Sequence, residues 1–151
     1  MDPTIAGFTA FIFGIMGVPS VALPATAPVI QWSYDFALDW VNQDLQNAPS
    51  QTTSWSIYAR AVYNLAADTL INWAPDQSGQ TYFADLRKQF GCNSFVAGVI
   101  QSSGDEGTNE SLVVPEAFKE LTIANLGNLK TPYGRNYLGI AQSTGTIWGL
   151  S

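Results

Sequence analysis

Carboxylates are the side chains of this sequence with the clearest capacity for chemistry. Two carboxyl groups at a suitable separation can hydrolyse a glycosidic bond, one as acid and the other as base or nucleophile. Most of the candidate carboxylates fall at helical spacings that predict exposure to solvent, and among the glutamates only Glu116 has the apolar neighbours that favour a general acid. A glycosidase, such as a lytic enzyme of a phage tail, therefore stays an alternative to a structural role. The candidates are Asp35, Asp39, Asp68, Glu116 and Glu120.

A second acidic group lies in the stretch Gly104–Glu110, which contains Asp105, Glu106 and Glu110. Oxygen-rich loops suit calcium, but the D-x-D-x-D-G order of a calcium loop is absent. We expect these three side chains to lie at a solvated loop tip or to contact a neighbouring protein, without a metal.

Nucleophilic and metal chemistry have few residues to use. The chain has no His and one cysteine, Cys92. Ser–His and Cys–His pairs, an internal disulfide framework and a multi-cysteine zinc site are therefore excluded. The sequence predicts no catalytic residues, no metal and no cofactor.

The composition favours contacts with other proteins. Hydrophobic residues make up 46% of the 151 residues and charged residues 12%, about half the usual share of a soluble domain. So little charge cannot cover the surface well, which predicts buried subunit contacts. The net charge is −6, and the basic residues form no stripe that would neutralise phosphates, which argues against ordinary nucleic-acid binding. The basic residues are Arg60, Arg87, Lys88, Lys119, Lys130 and Arg135.

The N-terminal region carries no charge from Pro3 to Tyr34. Its apolar run to Val18 is roughly 15 residues, short of the ~20 that cross a bilayer, and Asp2 stands where a signal peptide needs a basic residue. We expect residues 1–27 to form an apolar helix or arm packed on protein. A small membrane protein of a lysis system is the other alternative.

Hydrophobic periodicity predicts a mainly α fold, a small helical bundle with an inserted irregular β-hairpin and extended terminal arms. The bundle spans 28–144, the hairpin about 95–114, and a C-terminal segment 145–151. "FVAGVI" and "SLVV" are the predicted strands, separated by the polar loop "QSSGDEGTNE".

Two long helices are predicted within the bundle. The first starts near Pro28, with one apolar face and a second ridge of aromatic residues. The second spans Trp55–Trp73, and a short helix, "YFADLRKQFG", follows and ends at Gly91. The first helix has Ile30, Tyr34, Ala37, Val41 and Leu45 on its face and Trp32, Phe36 and Trp40 on its ridge. The second has Tyr58, Val62, Leu65, Thr69 and Trp73 along one side, and we expect it to be buried through Val62, Leu65 and Thr69.

The last predicted helix opens with "LKTPYGRNYLGIAQ". Thr131 suits the N-cap and Pro132 the first helical position, but Lys130 and Arg135 lie at the end that carries partial positive charge. Glycines inside the helix cost roughly 1 kcal/mol each relative to alanine. A helix so weak in isolation is expected to be stabilised by contacts, either with carboxylates of a neighbouring subunit or with an acidic patch of its own fold.

These segments resemble head–tail adaptor proteins of tailed bacteriophages, also called connector or head-completion proteins. The resemblance runs over roughly Phe8 to Ser151, and its most specific element is the T-P-Y-G-R-N-Y block after a long helix and a hairpin. "FALDWVNQDL", "YARAVYNLAADTLINW", "YFADLRKQF" and "GVIQSSGDEGTNESLVV" also carry it, as does the ending "STGTIWGLS".

The resemblance implies a virion protein at the head–tail junction. It would form a ring, commonly of twelve copies, beneath the portal protein, and bind the tail, nozzle or tail-completion protein. Double-stranded DNA would pass through the ring without specific binding, and no membrane is involved. The expected portal and subunit contacts are Lys130, Thr131, Pro132, Tyr133, Arg135, Tyr137, Ile147, Trp148 and Leu150, and the expected contact loop for the tail or a neighbour holds Asp105, Glu106 and Glu110.

The C-terminal segment "STGTIWGLS" allows two interpretations from its residues alone. Trp148 with Ile147 and Leu150 can fold onto the core of the same chain, or it can anchor the chain in another protein, as tryptophans at interfaces often do.

Overall fold

A computed structural model of the chain describes residues 2–48, 55–93, 102–105, 108–111 and 127–143. This part of the chain is mainly helical, as predicted. Its α-helices are α1 (Ile5–Gly14), α2 (Pro28–Trp40), α3 (Ile57–Trp73), α4 (Tyr82–Gln89) and α5 (Pro132–Ser143), with a 3-10 helix at Gln43–Asn47 and two strands, β1 (Ser102–Asp105) and β2 (Thr108–Ser111).

The central element is α3, against which α1, α2, α4 and α5 all pack. Its N-terminus is capped by Ser56, whose hydroxyl accepts from the amide of Ala59 at 3.1 Å. The helix is buried on nearly every side, and Val62, Leu65 and Thr69 are 0, 4 and 5% exposed. The long predicted helix is confirmed, with its first residue two positions later than Trp55.

Helix α2 confirms the predicted apolar face. All five residues of that face are buried, although the helix ends at Trp40 and the 3-10 helix then carries the last of them into the core. Pro28 occupies the N-terminal turn, where its missing N–H costs nothing. The five residues are Ile30, Tyr34, Ala37, Val41 and Leu45.

The apolar N-terminal region forms α1, whose Phe8 and Ile12 are completely buried in the core shared with α2 and α3. Thr4 caps the helix and its amide donates to the Tyr63 hydroxyl at 3.0 Å, which ties the helix start to α3. A helix packed on protein was the expectation for this region. Among the described helices, none has the length and apolarity needed to cross a bilayer.

Two polar side chains join α3 to α4. The Asp76 carboxylate accepts from the amides of Phe83 and Ala84 at 2.7 and 3.0 Å, so it satisfies the start of α4. Arg87 donates to the carbonyls of Ile71 and Ala74 at the end of α3. The short helix ends near Gly91, whose φ of 64° favours glycine, as the sequence predicted.

The two strands pair antiparallel, with Ser102 opposite Ser111 and Asp105 opposite Thr108. Strand β1 lies within the stretch that the sequence predicted as a polar loop, and β2 does so except for Ser111, the first residue of "SLVV". The two predicted strands, "FVAGVI" and "SLVV", are almost entirely outside the described residues. The irregular hairpin of about 95–114 therefore stays a prediction.

Candidate functional site

The start of α5 is fixed to α3 through a buried hydrogen-bond relay. Thr131 is fully buried, and its hydroxyl donates to the Asp68 carboxylate while accepting from the Gly134 amide at 2.9 Å. The predicted N-cap is thus confirmed, and it carries a second bond to a carboxylate of another helix. We call these three residues, Asp68, Thr131 and Gly134, the α3–α5 junction.

Gly134 permits the close approach at this junction. A Cβ atom at this position would lie 2.0 Å from the Asn128 carbonyl oxygen and 2.8 Å from an Asp68 carboxylate oxygen. The close contact that this glycine allows is therefore within one chain. Gly139 differs, since a Cβ there would meet nothing within 4 Å.

Asp68 is 3% exposed, which corrects the expectation that its helical spacing presents it to solvent. Burial raises the pKa of this carboxyl from 3.8 to about 6, and the hydrogen bond from Thr131 lowers it in part. The α5 N-terminus, with its partial positive charge, also faces the carboxylate. A buried carboxyl of this kind is a candidate acid or base, so its surroundings decide its role.

A cleft of about 240 Å³ opens beside Asp68. This is just below the usual range of small-molecule pockets. The Lys130 ammonium donates to the Cys92 carbonyl at 3.0 Å on one wall. Burial, then the nearby Asp68 charge, raises the pKa of the Cys92 thiol, which keeps it protonated and weakly nucleophilic. The lining residues are Phe36, Asp68, Thr69, Asn72, Trp73, Cys92, Gly127, Asn128 and Lys130.

The cleft therefore offers a positioned carboxyl without an activated nucleophile. Across the described ranges, no group of three or more His, Cys, Asp and Glu residues has a geometry that could hold a metal. The carboxylate already binds the Thr131 hydroxyl, which holds α5 in place. Its observed contacts thus support a structural role for the junction.

Aromatic side chains form a continuous exposed row next to the cleft. Trp73 at the end of α3 contacts Trp32, with ring centroids 5.4 Å apart. Trp32 stacks on Phe36 and Phe36 on Trp40, at 5.8 and 5.5 Å. We call these four residues, Trp32, Phe36, Trp40 and Trp73, the aromatic ridge.

The aromatic ridge is open to solvent although its members are large and apolar. Trp32, Trp40 and Trp73 are 47, 61 and 67% exposed. The α2 members follow from the predicted second ridge at spacings of four residues. The sequence placed Trp73 on the same side of the helix as Val62, Leu65 and Thr69, but unlike them it is exposed, since α3 ends there.

The basic residues expected at a subunit contact have partners within the chain. Arg135 donates to the carbonyls of Leu129 and Lys130 at 3.1 and 3.2 Å, although it is exposed. Lys130 reaches the carbonyl of Cys92, as described above. In the described contacts both side chains donate to backbone carbonyls, and their contact with a neighbouring subunit stays a prediction.

The other predicted contact residues divide into two groups. Pro132, Tyr133 and Tyr137 lie half-buried on α5, and Tyr133 packs edge-on against Phe11. Asp105 ends β1 and Glu110 lies in β2. The remaining residues, Glu106, Ile147, Trp148 and Leu150, lie outside the described residues.

The sequence interpretation named Asp68 as a candidate carboxylate but missed its burial and its partner. The surrounding stretch "NLAADTLI" is mostly apolar, and this pattern was a signal for burial. The pairing with Thr131 spans 63 positions of the chain and had no local signal.

Comparisons of the chain with protein-family models, curated proteins and solved structures give no match. The surfaces described above are therefore interpreted from their own geometry.

Proposed function

We propose that the protein is a structural subunit of a bacteriophage particle, forming a ring at the head–tail junction that joins the portal protein to the tail. The observation that carries the proposal is the exposed aromatic ridge on a chain with only 12% charged residues. A large apolar row that stays open in the monomer is typical of a surface that another protein covers. The resemblance of the T-P-Y-G-R-N-Y block to adaptor proteins supports the choice of assembly.

The geometry of the carboxylates supports this function over a glycosidase. Asp68 accepts a hydrogen bond from Thr131, which it needs to hold α5. Asp35 and Asp39 lie one turn apart on the exposed side of α2. An enzyme needs two carboxyls facing one substrate site, and these three face different surroundings. The other two candidates, Glu116 and Glu120, lie outside the described residues.

The net charge of −6 also suits a channel protein. DNA must pass through a head–tail ring without binding to it. Acidic walls repel phosphates over about 10 Å at physiological salt. A ring would repeat this charge in every subunit.

The C-terminal segment 145–151 is proposed to attach the ring to the portal through Ile147, Trp148 and Leu150. Burying these side chains gains several kcal/mol at roughly 25 cal/mol per Å². Ordering seven residues costs about 1–2 kcal/mol per residue, so one isolated segment gains little. Copies on a ring bind at high effective concentration once the first has docked, which makes attachment firm.

Negative-stain micrographs of purified portal mixed with this protein test the proposal. We expect an added ring of density on one face of the portal, and its absence at saturating protein would contradict the function. Deleting residues 145–151 should leave the thermal midpoint unchanged and remove the added ring. Clearing of a peptidoglycan suspension would favour the lytic enzyme, and partition into detergent would favour the membrane protein.

A further inference from the structure

We infer that the aromatic ridge of one copy binds the outer face of α5 in a second copy, so that Asp39 of the first lies against Arg135 of the second. This inference rests on the proposed function, since it names the contact between adjacent subunits of the ring. It differs from portal attachment, which involves the C-terminal segment.

The shape of the ridge favours a protein over a sugar or a base. Trp32 and Trp40 both stack on Phe36 at interplanar angles near 25°, so each of these three rings has at least one face against another ring. Sugars and bases bind aromatic residues through open ring faces. The edges that remain exposed suit the side chains of a packed protein surface.

The charges beside the ridge select the surface that covers it. Asp35 and Asp39 follow Trp32 and Phe36 by three residues each, so they border the rings on the exposed side of α2. Asp35 accepts from Gln31 at 2.7 Å, which leaves Asp39 as the freer carboxylate in the described contacts. A matching surface must be apolar or neutral with a cation at its edge.

The outer face of α5 has these properties. Arg135 is the one charged residue in the sequence of this helix, and it is exposed together with Asn136 and Gly139. The guanidinium bonds described for it both start from Nη1, and an arginine has further N–H donors. Gly139 leaves open space one turn later, where the edge of a tryptophan can approach the backbone.

The ridge and this face are different surfaces of the same chain. Both α2 and α5 pack on α3, and they make no extensive contact with each other. A contact between unlike surfaces repeats from copy to copy and closes into a ring when the rotation allows. The three exposed tryptophans offer roughly 400 Å² at up to ~250 Å² per aromatic side chain, about half of what a standard interface needs from one partner. The polar rim around Asp39 and Arg135 is expected to supply the rest.

Sedimentation velocity of the full chain alone, over a range of concentrations, tests the inference. Wild type should self-associate, and Trp32→Ser with Trp40→Ser should remove the association. The control, Ile15→Ser with Val21→Ser, changes two residues that are 62 and 69% exposed outside the ridge, and should associate like wild type. A wild type that stays monomeric at every concentration, or a ridge variant that associates normally, would overturn the inference.

Charge exchange tests the pairing itself, and it does not depend on large changes to the ridge. Asp39→Arg and Arg135→Asp should each weaken association about tenfold or more, because like charges then face each other. An equimolar mixture of the two variants should restore it, since every contact in an alternating assembly again joins opposite charges. Normal association of the Arg135→Asp variant would show that α5 is not the partner surface.

The portal experiment distinguishes this inference from the proposed function. If the protein adds a ring to the portal and the ridge and charge substitutions do not change its association, the proposed function stands and the inference is overturned. If the chain associates with itself as described but never binds portal, the contact between copies stands and the proposed function is overturned.

Discussion

The α3–α5 junction and the aromatic ridge each include one residue of α3, Asp68 and Trp73, yet the two regions differ in where their side chains find partners. At the junction the buried Thr131 hydroxyl donates to the buried Asp68 carboxylate and accepts from the Gly134 amide, so all three groups find their partners within the chain. In the ridge, the aromatic rings cover only part of one another's surface, and three tryptophans stay largely exposed. A small fold thus separates the contacts that stabilise it from a surface that is left for another protein. The following predictions test this separation, from the largest expected effect to the smallest.

Leu65→Asp should abolish soluble folding. Leu65 is 4% exposed on α3, and an unpaired charge there costs on the order of 4 kcal/mol or more. The control Trp73→Asp lies on the same helix and at an exposed position, so at high dilution it should fold and melt close to wild type. Circular dichroism melts of both variants check this, and a normal melt of Leu65→Asp would contradict the buried position of that face.

Gly134→Ala should destabilise the fold by about 1–3 kcal/mol, because the new methyl meets the Asn128 carbonyl at 2.0 Å. Gly139→Ala is the matched control in the same helix. It should be neutral or stabilise by up to about 1 kcal/mol, since alanine is the better helix former and nothing is near its Cβ. Urea unfolding of the pair measures the difference, and equal effects would mean that the close approach at Gly134 does not exist.

Asp68→Asn should remove a pH dependence of the free energy of unfolding. Folding raises the pKa of Asp68 to about 6, so the folded chain binds this proton more tightly than the unfolded chain. The stability contributed by this group therefore increases as pH falls from about 7 toward 4, and decreases as pH rises through the same window. The difference between wild type and variant should change by roughly 2–3 kcal/mol over that range.

Urea unfolding of wild type and Asp68→Asn across that pH range checks the sign as well as the size. Asp39→Asn serves as a control at an exposed carboxylate. If the difference in unfolding free energy between wild type and Asp68→Asn does not change with pH, Asp68 is ionised normally and is not buried as described.

Local patterns in the sequence predicted most of the helices because each has its own periodicity and caps. Thr131 and Pro132 indicate the start of α5, and the spacing of apolar residues predicts every residue of the apolar face of α2. The junction was beyond such reasoning, since Asp68 and Thr131 meet through packing of distant segments. Trp73 was misplaced because a helical face defines a direction only while the helix lies against other elements, and α3 ends at that residue.

The exposure of the aromatic ridge is a second property that local sequence patterns do not predict. A second apolar face on α2 was visible at four-residue spacings, which predicted that both sides of the helix are used. Periodicity could not tell whether the second face is covered within the chain. The stacking of the rings and their exposure supply that information.

The central claim is that the ridge serves association and contributes little to the fold of one chain. The thermal midpoint of wild type and of Trp40→Ser, measured over a wide range of protein concentration, tests it most directly. Association through the ridge stabilises the folded state by mass action, so the wild-type midpoint should rise with concentration. The Trp40→Ser midpoint should stay constant and equal the wild-type value at high dilution. A wild-type midpoint that is independent of concentration, or a variant that melts well below dilute wild type, would contradict the account.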